Sequence, residues 1–436
     1  MFDLERFGIK LGLDNMREFL SRIGNPHRDF RSVHVTGTNG KGSVCAFIAS
    51  ILSEEGLRTG LYTSPHLVDF RERVRVDGEM IHEDDVVRLG KALRSEMEFM
   101  ASESEERQLT FFEFTTGLAF KHFSEAGIDI AVVEVGMGGR LDATNVISPD
   151  VTAITRIGRE HTAYLGRAVK EIAREKAGII KPGVPVIVGD KNPEARAVIS
   201  RTCAAKSSPL KQIDRDFTTT GVHYDSTGTT LDYEGLRRIQ GLRVPLIGAH
   251  QAENAAIAIA VCEELEGRGI DISGVSIRRG LEAVDWPARL DIWSVDPLIV
   301  IDGSHNPEGV AASTYILDSL CLAPMTYVVA CMNDKDARGI VRALAPTAAR
   351  IVVTEVDSDR STRISDLGAI AAEEYKGATD MIPSPTDAIR TALEGQAGRG
   401  VCVIGSFYLA GEAIKWLEGE GDIPRTRVRE PETRKV

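Results

Sequence analysis

The sequence predicts an α/β protein of two domains, a parallel-sheet domain of the phosphate-loop type followed by a smaller Rossmann-like domain. Three observations favour this fold: a strand–glycine loop–helix pattern near the N-terminus, two series of apolar strand patterns that alternate with helix patterns, and a proline-broken segment between the two series. The length of 436 residues also exceeds that of an ordinary single core, so two domains are expected.

The most informative stretch is VTGTNGKGSVCA at residues 35–46, where an apolar strand pattern passes through a glycine-rich loop into an amphipathic helix pattern. Glycines let backbone N–H groups approach an anion, the helix N-terminus adds its positive dipole end, and Lys41 adds a full charge. The common nucleotide loop G-x-x-x-x-G-K-[ST] is matched imperfectly, so a turn whose glycines serve only packing is the alternative. The predicted phosphate loop comprises Gly37, Thr38, Asn39, Gly40, Lys41, Gly42 and Ser43.

Strand and helix patterns alternate through the rest of the first 190 residues. A short strand pattern covers residues 58–62, and apolar runs that are typical of buried parallel strands occupy residues 128–135, 151–157 and 184–188. A helix pattern covers residues 112–124, and another helix pattern contains Asn254. Between residues 205 and 245 the sequence turns to Thr, Gly and Asp in short alternating segments, which predicts a small β-rich elaboration.

The sequence DWPAR at residues 285–289 predicts the domain boundary, because Pro287 breaks any helix there. We therefore expect domains at residues 1–285 and 286–424, with a charged, disordered tail at residues 425–436. The second domain is predicted to be Rossmann-like, although it lacks the dinucleotide motif G-x-G-x-x-G. Its strand patterns are at residues 298–301, 327–331, 350–354 and 401–404.

Composition and charge argue against several classes of function. The net charge of −12 comes without a basic stripe, which argues against a nucleic-acid partner. No apolar run approaches the roughly 18–20 residues of a membrane span, and the N-terminus lacks a signal-peptide core. Six scattered cysteines without a C-x-x-C pair indicate reduced thiols and no zinc site. We expect a cytoplasmic protein without a membrane partner.

Three polar residues of the first domain, Lys41, Glu134 and His161, follow apolar strand patterns. We expect them to lie together at one edge of the sheet. The carboxyl ends of parallel strands share one edge of a sheet, which is where such sheets bind ligands. A carboxylate beside a phosphate loop suits Mg²⁺, whereas a turn cap for Glu134 and a structural hydrogen bond for His161 are the alternatives. The pattern alone indicates that Lys176 is a solvated helix lysine.

The second domain repeats this arrangement in VIDGSHNPEGV at residues 299–309, where a strand delivers Asp302, His305 and Asn306 into a turn before a helix. Asp and Asn are also ordinary turn formers, so a structural role is the alternative. Arg289 at the boundary is placed either to reach a terminal phosphate across a cleft or to form a linker salt bridge.

These segments together resemble the folylpolyglutamate synthase/dihydrofolate synthase branch of the Mur ligase superfamily. The likeness spans roughly residues 7–418 and is far more specific than the glycine loop alone. The blocks, in family order, are FGIKLGLDNM, HVTGTNGKGS, YTSPHL, RERVRVDG, EVGMGGRLDATN, IGREHT, EKAGIIKPG, GAHQAENAAIA, WPARLD, DGSHNPEG, MNDKD and GSFYLAGE.

The resemblance implies the Mur ligase architecture and an ATP-dependent amide ligase. The enzyme would add L-glutamate to dihydropteroate, to folate polyglutamates or to both, through an acyl-phosphate intermediate. The implied partners are small molecules, namely ATP, L-glutamate and dihydropteroate or a reduced folate, and the family is typically monomeric. A ligase for another pterin or carboxylic acid stays open, as does a nucleotide-switched binding protein, although MNDKD has the letters of a guanine-reading motif in the wrong order.

The family's roles carry over to matching positions. The loop would cradle the ATP phosphates, with Lys41 on the terminal ones. Two Mg²⁺ ions would be bound by Ser64, Glu134 and His161. Lys176 would be carbamylated, which requires the neutral amine that burial favours, and its carbamate would stabilise the metal-bound cluster. The remaining roles are adenine contact for Asn254, ATP phosphate contact for Arg289, phosphate and glutamate contact for Asp302, His305 and Ser406, and proximity to the pterin for Phe112, Arg140 and Asp142.

Two departures from the family pattern are visible. Glu160 precedes the metal histidine where the family usually has Asp, which leaves its geometry open. Residues 205–245 match the family poorly, so the resemblance assigns them no role.

Overall fold

The computed structural model describes residues 12–159, 161–395, 397–419 and 423–425. Glu160 and nearly all of the tail predicted at residues 425–436 lie outside the described residues, as does the start of the FGIKLGLDNM block. Within the described ranges, no helix combines the length and the apolar character that crossing a membrane requires.

The N-terminal half contains a mixed sheet, of which eight strands are described. The strands are β1 (Arg31–Thr36), β2 (Thr59–Tyr62), β3 (Val74–Val76), β4 (Glu79–Met80), β5 (Ile130–Glu134), β6 (Val151–Ile154), β7 (Val186–Val188) and β8 (Leu210–Gln212). Their order is β4-β3-β2-β5-β1-β6-β7-β8. Strands β2, β5, β1, β6, β7 and β8 run parallel, whereas β3 and β4 pair antiparallel at one edge.

Helices cover both faces of this sheet. They are α1 (Asp14–Arg22), α2 (Lys41–Glu54), α3 (Glu83–Glu103), α4 (Phe111–Ala126), α5 (Thr162–Leu165), α6 (Val169–Ala177), α7 (Pro193–Ala205), α8 (Ala249–Glu266) and α9 (Gly274–Ala283). One apolar core joins α2, α8 and α9 to the sheet, and a second joins α1, α3 and α4 to the opposite face. Burial on both faces explains why the central strands read as continuous apolar runs.

A three-stranded antiparallel sheet lies within the segment predicted to be β-rich. Its described strands are β9 (Thr218–Asp225), β10 (Gly228–Glu234) and β11 (Arg238–Val244). Leu231, Tyr233 and Leu242 from this sheet enter the core around α8. The hydroxyl groups of Tyr224 and Ser319 lie 3.1 Å apart, so the small sheet also touches the C-terminal half.

The C-terminal half forms a sheet with six described strands in the order β12-β13-β17-β14-β15-β16. The strands are β12 (Asp291–Val295), β13 (Leu298–Ile301), β14 (Met325–Val329), β15 (Ala348–Val353), β16 (Ala378–Met381) and β17 (Val401–Ile404). The helices are α10 (Pro307–Ser319), α11 (Ala337–Leu344), α12 (Ile364–Glu374), α13 (Pro385–Glu394) and α14 (Phe407–Glu418). Only β12 pairs antiparallel among these described strands, and two apolar cores cover the two faces.

The predicted α/β class with two largely parallel sheets is therefore confirmed. Strands β13 and β17 match their predicted limits, whereas β12 and β16 were missed. Strand β16 has the sequence ATDM and is partly exposed, so it lacks the apolar run of a buried strand. The segment 285–289 connects α9 to β12, and a division at residue 285 stays a prediction that the two separate sheets support.

Candidate functional site

The predicted phosphate loop connects β1 to α2 and is braced by the segment that follows β6. The amide of Thr38 donates to the carbonyl of Arg156 over 2.7 Å, and the Thr38 hydroxyl accepts from the amide of Gly158 over 3.0 Å. The Thr155 hydroxyl donates to the carbonyl of Asn39 over 2.8 Å. These contacts fix the loop at the carboxyl end of two neighbouring parallel strands, which is where such sheets bind ligands.

Two loop glycines are required by their surroundings. A Cβ at Gly37 would clash with the Thr155 hydroxyl, so the backbone there packs directly on the neighbouring strand end. Gly40 is the N-cap of α2 and has a φ of 90°, a backbone conformation that residues with side chains rarely adopt. A Cβ at Gly40 would lie 2.5 Å from Oδ1 of Asn254, whose amide nitrogen donates to Gln251 over 3.0 Å. Asn254 therefore lies over the loop, while its predicted adenine contact stays a prediction.

Glu134 ends β5 as a buried carboxylate, with 5% of its surface exposed. The amide of Ser64 donates to its Oε2 atom over 3.1 Å, so the two predicted metal-binding residues lie side by side. Burial raises the pKa of Glu134, and Lys41, the Ser64 amide, Arg289 and Arg73 oppose that rise. Three cationic side chains thus act on this carboxylate, as suits a site that receives a polyanion.

Lys176 is not solvated, and the interpretation drawn from its pattern alone is wrong. Its side chain is 3% exposed, and its Nζ donates to the carbonyl of Gly37 in the phosphate loop over 2.6 Å. Ile172, Ala173 and Lys176 follow helical spacing and share the buried face of α6. The position of Lys176 four residues after Ile172 is the signal that would have placed it inside.

His161 lies at the start of α5, where its φ of 49° is left-handed. Its Nδ1 atom is 3.5 Å from Oδ2 of Asp334, which comes from the loop after β14 of the other sheet. The histidine therefore reaches the C-terminal half, and Asp334 is a neighbour that the sequence did not single out.

The donor groups around Glu134 bear on the predicted metal site. Among the described residues, no three His, Cys, Asp or Glu side chains gather into a metal cluster. Mg²⁺ commonly needs only one or two protein carboxylates when phosphate oxygens complete its shell. Glu134 fits that requirement, because its buried carboxylate accepts from the Ser64 amide and lies within electrostatic reach of Lys41 in the phosphate loop.

Arg289 stands between the two sheets. Burial lowers the pKa of its guanidinium, while Asp302 from the C-terminal sheet and Glu134 from the N-terminal sheet oppose that shift. Its guanidinium carbon is 4.8 Å from the ring centre of Phe407, and a Cβ at Gly42 would lie 3.5 Å from its Nη2. This arginine therefore faces the phosphate loop across the cleft, as one of its two predicted alternatives requires.

Asp302, His305 and Ser406 lie at the ends of β13 and β17. Asp302 is buried and accepts from the Ser304 amide over 2.6 Å and from the Ser313 hydroxyl over 2.5 Å. Nδ1 of His305 is 2.9 Å from the carbonyl of Gly303. Ser406 caps α14 and is also buried. The three residues thus share one edge of the C-terminal sheet.

Of the residues predicted to lie near a pterin, Arg140 and Asp142 follow the end of β5, whereas Phe112 lies in α4. A Cβ at Gly136 would lie 2.5 Å from the ring of Phe112, which packs 6.1 Å from the ring of Tyr62. The Asp142 carboxylate accepts from the Met137 amide over 2.8 Å and from the Thr144 amide over 3.0 Å. Asp142 therefore holds its own loop in shape.

Arg140 lies in the same loop and pairs with Glu175 on α6, with 3.0 Å between Nη2 and Oε1. Its backbone amide also donates to the carbonyl of Glu175 over 2.8 Å. The residue next to Glu175 is Lys176, so this loop is tied to the helix that carries the buried lysine. The predicted pterin contacts of Arg140 and Asp142 stay predictions.

One hydrogen bond joins the phosphate loop to the C-terminal half. Nδ2 of Asn306 donates to Oδ1 of Asn39 over 2.9 Å. Asn306 is also the N-cap of α10, where its Oδ1 accepts from the Gly309 amide over 2.9 Å. The sequence separation of 267 residues explains why no local pattern signalled this link.

Two family models match the chain. The model described as the Mur ligase middle domain covers residues 35–262, and the model described as the Mur ligase glutamate ligase domain covers residues 288–407. The chain is 36% identical over 402 residues to the folylpolyglutamate synthase of Lacticaseibacillus casei, covering 92% of this chain and 93% of that protein. It is 33% identical over 419 residues to the dihydrofolate synthase/folylpolyglutamate synthase of Bacillus subtilis strain 168, covering 95% and 96% respectively.

Solved structures agree with these relatives. The folylpolyglutamate synthase of Mycobacterium tuberculosis complexed with ADP and AMPPCP superposes with a TM-score of 0.88 at 32% identity, covering 93% of this chain and 95% of that chain. The structure of E. coli FolC in complex with DHPP and ADP gives a TM-score of 0.84 at 28% identity, covering 96% of both chains.

The link between Asn306 and Asn39 should contribute to phosphate binding. Asn306→Ser keeps a helix-capping oxygen but is too short to reach Asn39. Loss of a hydrogen bond of about 1 kcal/mol should weaken AMPPCP binding about fivefold, measured by calorimetry. The matched control is Asn192→Ser, because Asn192 caps α7 in the same way at a distance from the loop. Equal AMPPCP affinities in the two variants would contradict a role for this link.

Proposed function

The chain belongs to the folylpolyglutamate synthase/dihydrofolate synthase family of Mur ligases, and from this premise we propose its reaction. The protein is an ATP-dependent ligase that joins L-glutamate to a pterin-linked carboxylic acid. Relatives named for one activity and relatives named for both match nearly the whole chain. We propose that this chain accepts both dihydropteroate and reduced folates. The family match favours an enzyme over the nucleotide-switch alternative.

The observation that carries the proposal is the convergence of charged groups from both sheets. Lys41 and Glu134 come from the N-terminal sheet, and Asp302 comes from the C-terminal sheet, with Arg289 between them. A ligase must bring an anionic acid to a polyanionic triphosphate, so it needs cations placed before the reactants meet. This arrangement supports ATP binding between the phosphate loop and Arg289.

The proposed chemistry has two steps. A carboxylate oxygen of the acid attacks the γ-phosphorus of ATP in line, so a new O–P bond forms while the bond to the β–γ bridging oxygen breaks and ADP leaves. The amine of L-glutamate then attacks the acyl carbon, loses a proton and expels inorganic phosphate. We assign glutamate and the leaving phosphate to the side of His305 and Ser406.

Metal binding is part of the proposal. We assign two Mg²⁺ ions to Ser64, Glu134 and His161, and when bound they would supply Lewis-acid neutralisation of the phosphate charge. Lys41 adds a fixed positive charge on the terminal phosphates. Arg289 and Lys41 together offset the repulsion between the acid and ATP, and closure of the cleft would exclude water that could hydrolyse an acyl phosphate.

The remaining assignments concern substrate shape. We propose that the pterin lies against Phe112 of α4, beside the loop that Arg140 and Asp142 hold in place, and that Asn254 contacts adenine. A related ligase for another acid would share the phosphate loop and differ in the residues around Phe112, so substrate profiling distinguishes the two.

Lys41→Ala should reduce ADP release by about 10²-fold or more, because a preorganised charge on the transferring phosphoryl group is lost. The assay measures ADP formed only when both dihydropteroate and L-glutamate are present. Lys91→Ala on the exposed side of α3 removes the same charge away from the site and should retain wild-type activity. Full activity of Lys41→Ala would contradict the assignment of the loop.

Lys176 is proposed to carry a carbamate, formed when its neutral amine attacks CO₂ and loses a proton. With ¹³C-labelled bicarbonate and Mg²⁺, the wild-type protein should show a carbamate resonance by NMR that disappears in Lys176→Arg. The demanding control is Lys181→Arg, because burial lowers the pKa of Lys181 to about 8 and makes its amine a competing site. A signal that survives Lys176→Arg and disappears in Lys181→Arg would overturn the assignment.

A further inference from the structure

Arg73 lies at the end of the loop that connects β2 to β3. The amide of Thr63 donates to its carbonyl over 3.1 Å, so Arg73 pairs with the residue immediately before Ser64. Ser64 in turn donates its amide to Glu134. One short loop therefore carries a predicted metal-binding residue at one end and an arginine at the other, and neither the sequence patterns nor the family blocks assigned that arginine a role.

The side chain of Arg73 points inward, and only 8% of the residue is exposed. Its Nε donates to Nδ1 of His66 over 2.8 Å, and its guanidinium carbon lies 5.3 Å from the ring centre of Phe111. Phe111 immediately precedes Phe112 in the first turn of α4. The guanidinium therefore lies beside the start of the helix that carries Phe112 and within electrostatic reach of Glu134, whose raised pKa it opposes.

The loop that holds Arg73 is unusually well fixed. The Glu72 carboxylate accepts three backbone amides, from Leu67 over 2.7 Å, Val68 over 2.9 Å and Asp69 over 2.7 Å. Asp69 and Glu72 form a reciprocal capping box on the 3₁₀ turn Phe70–Arg73. A buried cation on such a turn is preorganised, which is what binding a carboxylate in one orientation requires.

We propose that Arg73 binds the reacting carboxylate of the acid substrate and aims it at the γ-phosphate. This inference rests on the proposed function. An acid whose pterin lies against Phe112 must approach the anionic Glu134, and Arg73 lies where a cation can offset that repulsion. A guanidinium also matches the planar, bidentate geometry of a carboxylate, which a lysine ammonium does not.

Arg73→Gln tests this assignment. Loss of a charge-assisted contact should raise the KM for dihydropteroate about 10- to 100-fold, with Arg73→Lys intermediate. The KM for ATP and the affinity for ADP should stay unchanged. Arg71→Gln is the matched control, because Arg71 lies on the same turn and pairs outward with Asp69 over 2.7 Å. It should behave as the wild type.

A neutral ligand separates substrate contact from a structural role. Wild-type protein should bind dihydropteroate more tightly than the analogue whose carboxylate is a carboxamide, and Arg73→Gln should bind the two equally. If Arg73→Gln weakens both ligands by the same factor, or weakens neither, the inference is overturned. Failure of the proposed function itself would look different, because the wild-type protein would then release no ADP that depends on both dihydropteroate and L-glutamate.

Discussion

The buried carboxylate of Glu134 is the group on which the rest of this site depends. A carboxylate withdrawn from water is costly unless cations or hydrogen bonds compensate it, and here Lys41, Arg289, Arg73 and the Ser64 amide share that task. Those four groups come from the phosphate loop, the segment between the sheets, and the β2–β3 loop. One buried charge thereby gathers the segments that a phosphoryl transfer between two anions needs at one point.

The two sheets meet at this point through polar contacts. Asn306 reaches Asn39, Asp334 lies beside His161, and Arg289 lies between Asp302 and Glu134. Apolar contacts join the halves elsewhere, since Leu67 packs on one C-terminal core and Ile247 belongs to the other. The architecture therefore suits a reaction in which three substrates are aligned and water is excluded.

Much of this arrangement was predictable from the sequence, because buried parallel strands appear as apolar runs and the polar residues of the site follow their carboxyl ends. The phosphate loop, Glu134 and the strand before Asp302 follow from that rule alone. The pattern alone placed Lys176 in solvent because of its residue type, although its spacing from Ile172 indicated burial, and only the resemblance singled it out. Asp334 and Arg73 lie in the MNDKD and RERVRVDG blocks, but no role was assigned to them, since their neighbours are distant in sequence or depend on how the β2–β3 loop folds. Glu160 lies outside the described residues, so the effect of Glu in place of the family's usual Asp stays open.

Phosphorylation of the acid itself can be followed through the fate of its carboxylate oxygen atoms. Dihydropteroate labelled with ¹⁸O at both carboxylate oxygens would be turned over with ATP and L-glutamate, and the released phosphate would be examined by mass spectrometry. One labelled oxygen should appear in inorganic phosphate for each amide formed. Unlabelled phosphate accompanying amide formation would contradict an acyl-phosphate intermediate.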